Sequence, residues 1–236
     1  MFVTGGATGI GADIVRAFAK NGAKVAFVDI LEAEGRELVT ETGATFLVCD
    51  ITDIAGLRAA IDVVKNRLGP IGVLVNNAAN DDRHAIDDVT EEYWDRSTDI
   101  NLKPQFFAAQ AVRSHMQELG GGSIINFSSI AWRGGADNMP VYATAKAAVL
   151  GLTRALGRGF GKDNIRVNAI EPGAVITERQ KRLWFPTQES IDAVVSRQAL
   201  KHVLLGDEIA RMVLFLASDD SRMITKQSIT VDGGLR

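Results

Sequence analysis

Tyr142 and Lys146 stand four residues apart in Tyr-Ala-Thr-Ala-Lys, so on a helix both side chains share one face. A phenol with an ordinary pKa of about 10 is a poor base at neutral pH, but a neighbouring positive charge favours the phenolate and makes it usable for general-base work. Such a pair also arises by chance in many helices, so its surroundings decide its meaning. Near the start of the chain, Thr4-Gly5-Gly6-Ala7-Thr8-Gly9-Ile10-Gly11 puts glycines at 5, 9 and 11 where a β-rich run meets a helical one. Glycine there permits a tight turn and lets the N–H groups of a helix N-terminus approach a pyrophosphate, an approach that a Cβ would block. Asp29 follows Gly11 by 18 residues and closes the next β-rich run, close to where a carboxylate reaches a ribose 2′-hydroxyl. The same carboxylate repels a 2′-phosphate, and Ala7, Thr8 and Ile30 offer no compensating cation, so NAD is the expected cofactor rather than NADP. Asp50, in Cys49-Asp50-Ile51-Thr52-Asp53, has two readings: acceptor for an adenine amino group, or turn and cap residue.

These groups need a scaffold, and the hydrophobic pattern supplies one. Short apolar β-rich runs alternate with longer helical stretches, the βαβα signature of a parallel sheet. Strands are predicted at Phe2 to Thr4, Lys24 to Asp29, Thr45 to Cys49, Val73 to Asn76, Ser123 to Ser128, Arg166 to Ile170 and Ser228 to Val231. Helices are predicted at Ile10 to Asn21, stopped by Gly22, and at Ile54 to Leu68, with Thr52 as a cap and Gly69-Pro70 as terminator. The expected fold is α/β: a doubly wound seven-stranded parallel sheet with helices on both faces, in one domain over 1–236. From about Gly173 to Leu205 the pattern weakens, and Trp184, Phe185 and Pro186 cluster there. This stretch is expected to be either a lid over the site or an ordinary surface loop.

The bulk properties fit that frame. Lys and Arg number 26 against 29 Asp and Glu in 236 residues, with 46% hydrophobic and 23% charged residues. No basic stripe or acidic tail is present, so neither nucleic acid nor membrane is expected as a partner. Cys49 stands alone, which excludes a disulfide framework and a cysteine-built zinc site. His84, His115 and His202 are scattered without ligand spacing, and no metal is expected. No apolar run approaches the roughly 18 residues of a membrane span, and the first residues do not read as a signal peptide. A cytoplasmic location is the expectation.

With these residues in view, the chain resembles the short-chain dehydrogenase/reductase family from the glycine loop to Val231-Asp232-Gly233-Gly234. The motifs are Thr4-Gly-x3-Gly-x-Gly11, Asn76-Asn77-Ala78-Ala79, Asn101, Ser129, Tyr142-x3-Lys146 and Pro172-Gly173-x-Val175-x-Thr177. The resemblance implies that Tyr142 takes a substrate hydroxyl proton and Ser129 bonds the same oxygen. Lys146 would hold the nicotinamide ribose, and Asn101 a water on the proton path. Ser129 is preferred over Ser128 because the family places its serine 13 residues before the tyrosine. The implied cofactor contacts are Gly5, Gly9, Ile10, Gly11, Asp29, Ile30, Asp50, Ile51, Asn77, Ala78, Ala79, Tyr142, Lys146, Pro172, Gly173, Val175 and Thr177, and a homotetramer is implied as well. Three departures stand out: Ala79 and Lys226 where the family usually has glycine, and a first strand that follows directly on Met1.

Asn80-Asp81-Asp82-Arg83-His84, Trp132 after the serine, and Arg179-Gln180 after Thr177 resemble the branch that oxidises aldoses at the anomeric carbon, of the galactose, xylose and arabinose kind. Asn80, Trp132 and Arg179 are the substrate candidates, offering hydroxyl partners and an aromatic face. The competing readings are a solvated turn at Asp81 to His84, a core role for Trp132, and pairing of Arg179 with Glu178 or Asp192. Two alternatives to an aldose enzyme are carried forward: a ketone/alcohol oxidoreductase for a lipid-like or acyl substrate, and a dinucleotide-sensing protein without turnover.

Overall fold

Phe2 and Val3 face opposite ways, and both directions are apolar. Phe2, Leu74 and Ile124 enter one core while Val3, Val75 and Ile125 enter another, because a strand buried on both faces carries apolar residues without alternation. In the computed structural model, which describes residues 1–235, the strands are β1 (Phe2–Thr4), β2 (Ala26–Asp29), β3 (Thr45–Val48), β4 (Val73–Asn76), β5 (Gly122–Phe127), β6 (Ile165–Pro172) and β7 (Ser228–Val231). They form one sheet in the order β3-β2-β1-β4-β5-β6-β7, every neighbouring pair parallel. The helices are α1 (Gly9–Lys20), α2 (Glu32–Thr42), α3 (Ile54–Leu68), α4 (Glu91–Asn101), α5 (Lys103–Glu118), α6 (Ala131–Gly134), α7 (Pro140–Phe160), α8 (Glu178–Leu183), α9 (Gln188–Arg197) and α10 (Gly206–Ala217). This is the expected Rossmann-type doubly wound architecture. The strand order reverses between β1 and β4, and a crevice at the carboxyl ends of the strands opens there.

Residues of α1, α2 and α10 pack on one face of the sheet, and those of α3, α5 and α7 on the other. Helix α3 shows why: Leu57, Ala60, Ile61 and Val64 recur at helical spacing and are its buried residues. Truncating Ile61 to alanine would cost about 2–5 kcal/mol. The cap of α3 is Asp53, whose carboxylate accepts from Gly56 N at 3.0 Å, and not the expected Thr52, whose hydroxyl is taken by Asp50.

Three boundaries differ from expectation in ways that matter for the site. β2 begins at Ala26 rather than Lys24. β6 continues to Pro172 because β7 pairs Glu171 with Thr230 and Pro172 with Val231. The weakly patterned 173–205 stretch contains α8 and α9, each opened by a threonine cap, Thr177 and Thr187. No apolar period marks α8 because none of its residues is buried. Lys226 has φ of 64°, the left-handed region that favours the glycine usual at that position. Among the described residues, no helix is long and apolar enough to cross a membrane.

Candidate active site

Helix α7 starts with Pro140 at its first position and presents Tyr142 and Lys146 one turn apart. The Lys146 ammonium lies 5.5 Å from the centroid of the Tyr142 ring and donates to Phe127 O at the end of β5 at 2.9 Å. Ser128 Oγ donates to Lys146 O at 2.6 Å, so the serine that follows β5 fixes the helix rather than facing the site. Ser129 is the serine whose hydroxyl acts on Tyr142, holding the pKa of its phenol down. Asn101, fully buried at the end of α4, accepts from Asn80 N and donates to Asn80 O, both at 3.0 Å. Gln105, which the sequence did not single out, donates to both Asn101 O and Phe127 O. It ties the asparagine to the carbonyl that holds Lys146.

Electrostatics here differ from the simple expectation of a phenol activated by an ammonium. Burial pushes the Tyr142 hydroxyl well above its ordinary range, the Asp81 charge pushes the same way, and the Ser129 bond and Arg179 only partly oppose them. Burial also lowers Lys146 from 10.5 to about 7, with Asp81 acting in the opposite sense. In the free chain burial thus opposes both charged forms, the Tyr142 phenolate and the Lys146 ammonium.

At the β1 end, Gly5 and Gly9 adopt φ of 65° and 55°, and a Cβ on Gly11 would lie 1.9 Å from Gly5 O. The loop is held from β4: Asn77 Nδ2 donates to Thr4 O and Gly5 O, and Thr4 Oγ1 accepts from Asn77 N and Ala78 N. Ala78 packs so closely on Gly5 that a Cβ there would meet its Cα at 2.7 Å. Asp29 at the end of β2 accepts from Ala7 N at 3.0 Å and from Leu31 N at 3.1 Å, which fixes its carboxylate beside the glycine loop. Ile30 is exposed and Ile51 buried. One oxygen of Asp50 is engaged by Thr52 N and Thr52 Oγ1, as in a turn. Thr177, the cap of α8, approaches Gly9, with Cγ2 at 3.3 Å from where a Cβ would stand. Gly173, between Pro172 and the buried Val175, backs onto Asp232, whose Cα lies 2.7 Å from where its Cβ would stand.

The substrate candidates are brought together differently from any of the sequence readings. Arg179 pairs with Asp81 and reaches Asn80 Oδ1 at 3.2 Å and Asp82 at 3.5 Å. Its expected rivals are elsewhere: Glu178 binds Lys181 and Asp192 binds Gln188. Gln180 donates to the second Asp81 oxygen at 2.7 Å. Burial pushes the Asp81 carboxyl up, but the bonds from Gln180 and Arg179 outweigh it and hold it below the usual range. Within the segment after β4, Asp82 and Arg83 are exposed as the solvated-turn reading expects, while Asp81 is held by Arg179 and Gln180. Arg83 stacks on Trp184 at 4.0 Å and His84 bonds the Tyr93 hydroxyl at 2.7 Å. Trp132 is not core; its indole N–H donates to Glu171 at 2.8 Å. Asp81, Gln180 and Glu171 carry weight that only tertiary contacts reveal. No cluster of three or more metal-ligating side chains occurs among the described residues.

A family profile described as "Enoyl-(Acyl carrier protein) reductase" matches residues 5–236, and curated relatives align over the whole chain. The chain belongs to the short-chain dehydrogenase/reductase family. Within that family it is 49% identical to a probable galactose dehydrogenase of Rhizobium meliloti, over 100% of this chain and 94% of the relative. It is 41% identical to a D-xylose 1-dehydrogenase of Caulobacter vibrioides, over 99% and 94%, and 38% identical to a 3-alpha-(or 20-beta)-hydroxysteroid dehydrogenase of Mycobacterium tuberculosis, over 98% and 87%. Among solved structures, an actinorhodin polyketide ketoreductase with NADPH superposes with a TM-score of 0.91 at 30% identity, covering 99% of this chain and 95% of that one. As a member of this family, the chain is an oxidoreductase.

Proposed function

We propose that this chain oxidises an aldopyranose at its anomeric carbon to the aldonolactone, with NAD as cofactor. The observation that carries the reading is the convergence of two sets of groups: Tyr142 bonded to Ser129 beside Lys146, and the polar cluster of Asn80, Asp81, Arg179 and Gln180 whose charges act on that tyrosine. The two sugar dehydrogenases among the relatives support the substrate class.

The residues fit a dinucleotide. A side chain on Gly11 would fill the turn, and the orphan N–H groups at the start of α1 suit a pyrophosphate. Gly5, Gly9 and Gly11 would hold that group, Asp29 the adenosine ribose, Asn77 to Ala79 the length of the cofactor, and Val175 and Thr177 its carboxamide. When bound, oxidised NAD supplies the hydride acceptor. Tyr142, as phenolate, takes the proton of the anomeric hydroxyl as the C1 hydride leaves, so that C1 becomes a carbonyl. Ser129 donates to that oxygen and holds it in place. Asn80, Arg179 and Asp81 bond the remaining hydroxyls, and α8 with α9 forms a lid over 173–205.

The test is a panel of aldopyranoses against hydrophobic secondary alcohols, each with NAD and with NADP, followed by cofactor reduction. Turnover of an aldose with NAD at a kcat/KM at least tenfold above any hydrophobic alcohol is expected. The reverse order would favour the lipid-like alternative, which the 38% identity to a hydroxysteroid dehydrogenase makes the second reading. NAD binding without turnover of any substrate would point to a sensor.

A further inference from the structure

Glu171 is fully buried, yet it stands next to last in β6 of the central sheet as a carboxylate. Both of its oxygens are used. Trp132 Nε1 and Arg133 Nε donate to Oε2 at 2.8 and 2.7 Å, Arg133 Nη2 donates to Oε1 at 2.7 Å, and the Ser228 hydroxyl of β7 donates to Oε1 as well. Burial pushes this carboxyl up, but the bonds from Arg133, Ser228 and Trp132 outweigh it and keep it ionised below the usual carboxylate range. A buried charge is retained only when its partners are well placed, because an unpaired one is costly.

Trp132 and Arg133 lie on α6, the turn that leads away from Ser129. The backbone on each side of that serine is laced to β6 on each side of Glu171: Ser128 N donates to Ile170 O at 2.9 Å, and Ile130 N to Pro172 O at 3.2 Å. Ser129 Oγ accepts in turn from Ala131 N, the first residue of α6, at 3.2 Å. A helix of four residues cannot hold itself together, since nucleating a turn fixes several dihedral angles for one hydrogen bond. Something outside α6 must keep it in place.

We propose that Glu171 is a positioning residue for catalysis: by gripping Trp132 and Arg133 it fixes α6, and through α6 it sets the direction of the Ser129 hydroxyl toward Tyr142. The proposal rests on the reading of Ser129 as the partner of Tyr142. It gives Trp132 a task other than the substrate face expected of it, and makes Arg133 a participant that lies outside every motif of the sequence.

The experiment uses the whole chain with the fastest aldose from the panel and saturating NAD. Glu171→Gln keeps the shape and removes the charge. It is expected to lower kcat ten- to hundredfold, leaving KM for the sugar and Kd for NAD within about twofold. Arg133→Met should do the same, and the double variant should be no worse than either alone, because both remove one interaction. A Glu171→Gln enzyme with kcat within twofold of the parent, or with effects of the two substitutions that multiply, overturns the proposal, whatever its melting temperature. If Glu171→Gln does not fold, Arg133→Met and Trp132→Phe decide on the turn itself: unchanged kcat in both overturns the proposal, and a tenfold loss in both supports it. Ser129→Ala separates the two levels. If it retains full turnover, the role of Ser129 is wrong; if it is inactive while Glu171→Gln is not, only the grip of Glu171 is wrong.

Discussion

The two ends of the crevice are built from different materials. Around β1 and β2 the contacts are made by backbone: Gly5 and Gly6 N–H groups donate to Val28 O, Asn77 holds Thr4 O and Gly5 O, and Asp29 accepts from two main-chain N–H groups. Around β5, β6 and α8 the contacts run between side chains distant in sequence, Asp81 with Arg179 and Gln180, Glu171 with Trp132 and Arg133. A backbone cradle recognises what all dinucleotides share and tolerates few substitutions. A side-chain network can be rewritten one residue at a time, which is how one fold serves many substrates.

Tyr142 sits where the two ends meet, and its loss should be felt most. Tyr142→Phe is expected to reduce kcat by about 10²–10⁴-fold with NAD binding, followed by titration calorimetry, unchanged; near-normal kcat would remove Tyr142 as the base. The next effect belongs to the cradle. NAD should exceed NADP in kcat/KM by about tenfold to a hundredfold, from lost charge-assisted hydrogen bonds and added repulsion at Asp29. Asp29→Ala should narrow that ratio, and Asp29→Ala with Ile30→Arg should narrow it further, since a guanidinium pairs with a phosphate. An unchanged ratio in Asp29→Ala would break the assignment.

The backbone-built end was the readable one. Glycine spacing, a strand-closing aspartate and runs of apolar residues are local signals, and β1 and β4 match their predicted limits there, as α3 and β7 do elsewhere, while β2 starts two residues late. Ser129 and Tyr142 are singled out only through spacing in the family pattern. Asp81 and Arg179 are each visible, but their pairing spans 98 positions and no periodicity encodes it, so the sequence offers only the nearer carboxylates Glu178 and Asp192 as partners for Arg179. Glu171 was hidden by its place in an otherwise apolar strand, and α8 by having no buried face.

Two smaller tests address the substrate end and the buried lysine. Arg179→Met should raise the sugar KM about tenfold, the loss of about 1.5 kcal/mol expected for a charge-assisted bond, without changing Kd for NAD. An equal change in both would mean that the network serves the cofactor. Lys146, lowered by burial from 10.5 to about 7, is neutral in the folded state where the unfolded chain still binds a proton. Stability should therefore rise with pH inside that window. A urea midpoint that increases between about pH 8 and 9 in the parent, and fails to do so in Lys146→Met, is the expected result; identical slopes would refute it.

The position of β1 in the sheet also governs how the protein is made. This three-residue strand lies between β2 and β4 with both edges paired, yet β4 begins only at Val73. During synthesis β1, β2 and β3 can associate once Val48 has emerged, but the inner edge of β1 then has no partner until β4 arrives. At about 5–20 residues per second that interval lasts on the order of seconds. For that time an apolar strand edge, Phe2 and Val3 included, is open to pairing with another chain. The same order that places the crevice at the centre of the finished enzyme leaves the inner edge of β1 unsheltered until β4 arrives, and so makes that edge a point at which a nascent chain needs a chaperone.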